Sequence, residues 1–484
     1  MNVWEGNPMD GLYLMPLSVG IVALLVGMGA VHPAVAESLP FDNDGMLMVD
    51  GKRFFPVGIY EFPRTDEQVK EIAEAGFNLI QSSAGAEDLD RARSAGLKAW
   101  IPLGAYLDAK DEGQQKTLAE IVNRFKDHPA LIVWEGPDEP LWNVWSSTST
   151  WFRDGQTKLF RSYIEEAEKT GTDTSAMKEQ FRVFQASVGI ADYPAAEDAA
   201  SKLWSVLGKP SPHPELLMTG TPQRARELAD GLYAGRELIR QIDPNHPIWI
   251  NHAPRNTIPD TAYFNRAAHI AGCDIYPVPD SPENGHSDIA NHRLSCVGDY
   301  TDRMQAAAPG KPIWTVLQGF GWGDLSEASS DLKKAGRRPT YDETRFMAYD
   351  AIVHGAKGIL YWGTAYIQKP SEFWTCLKRV VGELHEIQHV LAAPVEPTKI
   401  QVVLDPTSDS VDKGIVVLAK RADNRVHLIV VNEFPAPQRC TVSGLPAPDG
   451  TTLRDNLTKK TVSVTNGQIN CSLGGYGVAV LMQE

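Results

Sequence analysis

Three carboxylates crowd into five residues in the stretch Trp134-Glu135-Gly136-Pro137-Asp138-Glu139-Pro140. Acids this close repel one another as anions, so a proton is held beyond the ordinary carboxylate range, which suits a group that must donate it near neutral pH. Glu139 and Asp138, side by side at the end of the stretch, are the candidates for such work. The plain alternative is a loop whose acids face water. Other side chains able to handle a polar substrate are Asp274 and Tyr276 in Cys273-Asp274-Ile275-Tyr276-Pro277, the adjacent Asn251 and His252, Glu61 in Tyr60-Glu61-Phe62-Pro63, and Gln318 in Val316-Leu317-Gln318-Gly319. Trp322, Trp362 and Tyr366 offer flat faces for stacking, or for packing against a rim.

These residues need a frame, and the chain supplies a regular one. Short apolar runs at 54–60, 77–81, 97–103, 130–134, 248–251, 273–276, 313–317 and 359–362 read as eight strands. Helical patterns lie between them: one opens at Thr65 and closes at Gly76, and others cover 87–96, 114–125, 224–241 and 372–391. Strand–helix alternation implies a parallel sheet. Eight units over roughly 350 residues fit an α/β fold of the (β/α)8 TIM-barrel type, spanning 40–393. An open doubly wound sheet is the rival, but no Gly-rich phosphate fingerprint follows the first strand. Residues 141–220 interrupt the pattern with a long insertion that opens on Trp142, Trp145 and Trp151. They are either outer substrate contacts or anchors to the barrel.

Beyond the Pro394-Val395-Glu396-Pro397 boundary the helical period stops. β-branched runs at 414–419, 425–431, 440–443, 460–464 and 476–482 predict a small antiparallel β-sandwich over 395–484. Cys440 and Cys471 both fall there, as a disulfide or as two separate thiols. Of the five cysteines none makes a CxxC pair or a Cys/His cluster, and His252 is the one histidine at an expected strand end. No metal or cofactor is therefore expected, and a metal-dependent barrel hydrolase is disfavoured.

Residues 14–31 are apolar apart from Ser18 and lead to Ala34-Val35-Ala36, a small-residue cleavage pattern. Segment 1–36 reads as a signal peptide, with an N-terminal anchor as the alternative. No Lys or Arg precedes the apolar run. The expectation is a secreted or periplasmic protein, with no stable membrane insertion once the segment is cleaved. The net charge of −15 over 484 residues argues against a nucleic-acid partner.

In such a barrel the working residues stand at the C-terminal ends of strands. The end of the fourth strand resembles the signature of the large retaining glycoside hydrolase clan built on this barrel, which includes galactosidase-like and cellulase-like members. That signature ends in Asn-Glu-Pro, and the resemblance implies that Glu139 is the general acid/base and that Asp138 stands in the place of the Asn that binds the sugar 2-hydroxyl. Asp274-Ile275-Tyr276-Pro277 is similar to the clan's Tyr-bearing sixth strand end. His354-Gly355-Ala356-Lys357-Gly358-Ile359-Leu360-Tyr361-Trp362 is similar to the passage whose Trp floors the sugar site. The resemblance covers the barrel and extends to the tail by domain order, and it implies a carbohydrate substrate.

One departure matters. Where the clan's seventh strand ends in a nucleophilic Glu, Lys311-Pro312-Ile313-Trp314-Thr315-Val316-Leu317-Gln318 ends in an amide, which is a poor nucleophile with no charge for an oxocarbenium-like transition state. Three accounts follow. Hydrolysis proceeds by inversion, with Glu61 the preferred base and Asp274 and Glu343 weaker ones; Thr340-Tyr341-Asp342-Glu343 also reads as a capping box. Alternatively the nucleophile is displaced, or is the substrate's own acetamido group with Gln318 as orienting amide. In the third account the barrel binds sugar without cleaving it. Asn251, His252, Tyr276, Trp322, Trp362 and Tyr366 are the expected sugar contacts.

Overall fold

The computed structural model describes residues 39–279, 290–325, 330–406 and 413–484. The leader-like segment 1–36 lies outside them. Among the described residues no helix is long and apolar enough to cross a membrane.

Eight strands close into a parallel barrel: β1 (Val57–Ile59), β2 (Leu79–Gln81), β3 (Lys98–Pro102), β4 (Leu131–Glu135), β5 (Ile248–His252), β6 (Ile270–Ile275), β7 (Ile313–Gln318) and β8 (Gly358–Trp362), with β8 pairing back onto β1. Helices cover the outer face, so both faces of each strand are dry and the sequence runs apolar instead of alternating. Strands β4 to β7 are buried at every position. The lumen is filled with rings: Tyr60, Trp100, Trp249 and Trp314 form a chain of edge and tilted contacts with centroids 5.1 to 5.9 Å apart.

The helix ends explain two sequence signals. Thr65 caps α1 (Asp66–Glu74) by accepting from the Gln68 N–H. Thr340 and Glu343 form a reciprocal capping box on the helix Tyr341–Val353, and both Glu343 carboxylate oxygens are held by Arg337. Glu343 is thus occupied by structure rather than by chemistry.

Between β4 and β5 the chain builds a helical bundle from Pro140–Thr150, Gln156–Lys169, Ser175–Gly189 and Tyr193–Leu207, before Thr221–Ile242 returns to the barrel wall. Its own small core contains Phe152, Phe160, Phe184, Leu203 and Trp204. Trp145 and Trp151 pack against that core, whereas Trp142 faces elsewhere.

The tail is an antiparallel β-sandwich. One sheet orders Gln401–Leu404, Gln438–Ser443 and Gln468–Leu473, and the other orders Ile415–Ala422, Arg425–Asn432, Val478–Gln483, Thr452–Asp455 and Thr461–Ser463. Cys440 and Cys471 are direct cross-strand partners and remain free thiols. The sandwich grips the barrel through a buried ionic knot, in which Arg345 donates to Glu383 at 2.7 and 2.8 Å and to the Val478 carbonyl at 3.0 Å.

Candidate active site

The chain leaves β4 through Gly136, whose N–H donates to the Trp249 carbonyl at 2.8 Å. A Cβ there would lie 2.8 Å from Ile250 and 3.1 Å from Leu107, so close packing demands glycine. Three residues later Glu139 adopts a left-handed conformation, φ 44° and ψ 46°, directly before the insertion helix that begins at Pro140. That conformation is uncommon outside glycine and asparagine and is held from both sides. The Glu139 N–H donates to the Asn251 carbonyl at 3.0 Å, and its carbonyl accepts from the Asn143 N–H at 2.9 Å. The turn delivers the carboxyl to the barrel mouth.

There it meets Asp274, the penultimate residue of β6, near enough for the two carboxyl groups to influence each other's protonation. Burial, reinforced by the Asp138 charge, raises the Glu139 pKa to about 7. Burial, then the neighbouring Glu139 and Asp138, raises that of Asp274 well above the carboxylate range. Asp138 is raised chiefly by burial, offset in part by the Asn251 amide. It stays open to solvent at the rim while protein surrounds it on most sides. Asn251 ties the group together, donating to Asp138 at 2.9 Å and to Asp274 at 3.4 Å. Its own Oδ1 has no partner among the described residues. Burial, and then the Asp274 charge beside it, push the Tyr276 hydroxyl well above its ordinary pKa.

Glu139 and Asp274 open into a cleft of about 310 Å³, which Tyr276, Trp322, Trp362 and Trp142 line with rings. Tyr276 and Trp362 stack with centroids 5.5 Å apart and planes 21° from parallel. Tyr366 stands at the rim, half-exposed, against Trp362. The exposed Arg255 closes one side, lying over the Trp142 ring at 5.7 Å. Cleft walls of aromatic faces with a few polar groups are what sugar rings pack against.

Of the residues singled out from sequence, the structure gathers Glu139, Asp138, Asn251, Tyr276, Trp322, Trp362 and Tyr366 at this mouth, together with Asp274. Three others are placed elsewhere. His252 turns outward between β5 and the helices, fully buried, with Nε2 3.0 Å from Asn265 Oδ1. Burial drops its pKa to about 4, so it is a neutral packing residue beyond reach of the cleft. Gln318 is fully buried and its amide is consumed by the backbone: it accepts from the Val278 N–H at 2.8 Å and donates to the carbonyls of Val278 at 2.7 Å and Phe320 at 3.1 Å. It braces the loops after β6 and β7 and does not face Glu139. Glu61 is engaged by Lys369 in an ion pair and does not line the cleft.

One acid of the sequence cluster takes a place that its position alone did not reveal. Glu135 points into the lumen, where Tyr60 donates to it at 3.0 Å, Gln81 at 3.1 Å and Trp100 at 2.8 Å. Three donors favour the anion, but burial and the Asp138 charge outweigh them and raise its pKa to about 8. The folded state therefore binds a proton that the unfolded chain releases near the ordinary carboxylate pKa, and this contribution to stability shrinks as pH rises towards about 8. Relative to Glu135→Gln, which mimics the neutral acid, the wild type is expected to lose stability between pH 5 and pH 8 in urea unfolding. A gap between the two proteins that does not change with pH would mean that the three donors hold Glu135 ionised.

Arg255 and Glu135 were the residues least legible beforehand. Arg255 follows Asn251-His252 by only three positions, which was the available signal.

No known family profile matches the chain, and no curated relative matches it. Solved structures do. A protein titled glycoside hydrolase aligns with a TM-score of 0.51 at 13% identity, covering 92% of this chain and 96% of its own. A beta-galactosidase from Bacillus circulans sp. alkalophilus gives a TM-score of 0.51 at 10% identity over 90% of this chain and 100% of its own. Gan42B, a GH42 beta-galactosidase from G. stearothermophilus, gives 0.50 at 11% identity over 89% and 98%. At such identities the likeness speaks for the fold alone, and that fold is the TIM barrel followed by a β-sandwich found in glycoside hydrolases.

Proposed function

We propose that the protein hydrolyses a β-linked glycoside in an oligo- or polysaccharide, with Glu139 as general acid/base and the substrate's own 2-acetamido group as nucleophile. The observation that carries this reading is the Glu139–Asp274 carboxyl pair, which lines an aromatic cleft. A nucleophile and acid act from opposite faces of a sugar about 5–5.5 Å apart, and an inverting pair stands about 6.5–9.5 Å apart to admit a water, whereas these two carboxyls are direct neighbours. Glu61, held by Lys369, and Gln318, whose amide the backbone consumes, supply no second group. An N-acetyl group on the sugar removes the need for one.

The steps balance as follows. Protonated Glu139 gives its proton to the glycosidic oxygen as the C1–O bond breaks and the aglycone leaves as an alcohol. The acetamido carbonyl oxygen forms the new bond to C1, and the amide N–H of the resulting oxazolinium donates to Asp138 or Asp274. Glu139, now a carboxylate, takes a proton from water as that water attacks C1, reopening the ring with the β configuration retained. Tyr276 and Trp362 wall the pocket that holds the acetamido methyl and the sugar face. Orientation of the acetamido group thus falls to the aspartates and not to Gln318. Export through the leader-like segment 1–36 belongs to the same reading, since polymeric sugar lies outside the cell.

Aryl β-glycosides with and without a 2-acetamido group test it. Turnover is expected for the 2-acetamido hexosides and inhibition by a ring-fused thiazoline analogue of the intermediate. Equal turnover of plain β-glucosides or β-galactosides would remove the acetamido group from the mechanism. Calorimetric binding of oligosaccharide with no turnover of any panel member would leave a carbohydrate-binding barrel instead.

A further inference from the structure

At the opposite end of the barrel lies a second cluster with no part in that chemistry. The helix Tyr341–Val353 runs antiparallel to the strands, so its C-terminal end lies at the barrel face away from the cleft. Asp350 and His354 stand four residues apart, on one side of that end. Glu433, just past the sandwich strand Arg425–Asn432, reaches across to them. One ligand atom from each of the three lies within 4.8 Å of the others.

We propose that Asp350, His354 and Glu433 bind one divalent ion of the zinc class, clamping the β-sandwich to the barrel. Three features beyond the acidic clustering point to it. Asp350 is fully buried, and while its Oδ2 accepts from the Gly298 N–H at 2.7 Å, its Oδ1 has no partner. A buried carboxylate oxygen without a protein donor is costly, and a bound cation satisfies it without a further protein group. His354 Nδ1 is 2.9 Å from Asp302 Oδ2, which orients the ring so that Nε2 faces Glu433, 3.2 Å away. A carboxylate behind the imidazole is the usual way a metal-binding histidine is oriented. Finally, Gly298 leaves the ring its room: a Cβ there would fall 2.6 Å from His354 Nε2 and 3.1 Å from Asp350 Oδ2.

Charge agrees. Asp299, Asp302, Asp350 and Glu433 gather here against Lys413, which pairs with Asp299 and Glu433, and His354. One imidazole nitrogen and two carboxylates form a mixed N/O donor set that suits a first-row divalent ion such as Zn²⁺ better than Ca²⁺ or Mg²⁺, which prefer all-oxygen shells. The competing arrangement, an imidazolium bridging Asp302 and Glu433, provides no protein donor to Asp350 Oδ1.

Chelator-treated full-length protein titrated with Zn²⁺ in a calorimeter is expected to bind one ion per chain and to melt at a higher temperature with the ion than without. Co²⁺ at the site should give the intense visible bands of a low-coordinate complex. Glu433→Gln should abolish binding. Asp302→Asn, at a half-exposed position where folding is not in question, should weaken Zn²⁺ at least tenfold, because it releases the ring's orientation. Absence of a stoichiometric Zn²⁺ isotherm with the wild type, or wild-type affinity in both variants, overturns the proposal and leaves the imidazolium bridge. None of these readouts depends on glycosidase activity.

Discussion

Glu139→Gln is expected to lower kcat/KM on an unactivated disaccharide by about 10²–10⁴-fold, the range a positioned proton donor contributes. That corresponds to about 3–5 kcal/mol of barrier. The amide matches the acid in size and can take the same left-handed backbone, so the fold and the oligosaccharide Kd should hold. The discriminating measurement varies the leaving group. An aryl substrate whose phenolate departs unaided needs no proton, so its bond-cleavage step should suffer far less than that of the disaccharide. A uniform loss across both would point to damaged geometry instead of lost acid catalysis, and a wild-type rate would remove Glu139 from the reaction. In the wild type, activity should fall as pH rises through about 7, where Glu139 loses its proton. Asp138→Asn removes a like charge that favours the protonated form, so it should move that limb to lower pH.

Arg345→Met is expected to be the most destabilising single change outside the cleft, at about 3–5 kcal/mol. Arg345 and Glu383 are each only 6% exposed in their side chains, and Tyr349 donates to the same Glu383 oxygen at 2.9 Å. Removing the guanidinium strands a carboxylate in the interior and cuts the bond to the Val478 carbonyl that joins barrel to sandwich. The buried ion pair itself is worth much less than that figure, because both charges were desolvated to form it. Arg345→Met combined with Glu383→Leu should therefore recover most of the loss. Urea midpoints of the wild type, both single variants and the double variant measure the coupling. A double variant as unstable as the sum of the singles would show that packing, not charge, was lost.

The barrel was legible because its strands are short apolar runs separated by helices with clear stop signals. The eighth-to-first closure follows once eight such units exist. Boundaries failed where small residues enter a strand. β6 begins at Ile270, not Cys273, because Ala271 and Gly272 carry no strand signal, yet Gly272 is there to admit the Trp249 indole, 2.4 Å from where its Cβ would be. In the sandwich, Gln401–Leu404 and Thr452–Asp455 were not anticipated; their residue types hide a period of two that burial makes visible.

At the site, Glu139 and Asp138 could be read from local sequence because the cluster itself is local. His252 could not be separated from Asn251, since a strand dry on both faces has no alternation to say which side chain looks inward. Gln318 ends its strand as anticipated, but its amide partners belong to Val278 and Phe320, and Glu61 is captured by Lys369, 308 residues away in sequence. Long-range partners of that kind leave no mark on a single chain. The same holds for Glu433, which meets His354 from 79 residues further along the chain.

The left-handed turn at Glu139 has a mechanical consequence. The inserted bundle is joined to the barrel at that residue with no slack, since its first helix starts one position later. Helix and carboxyl therefore move as one piece: any tilt of the first insertion helix against the barrel carries the Glu139 side chain with it.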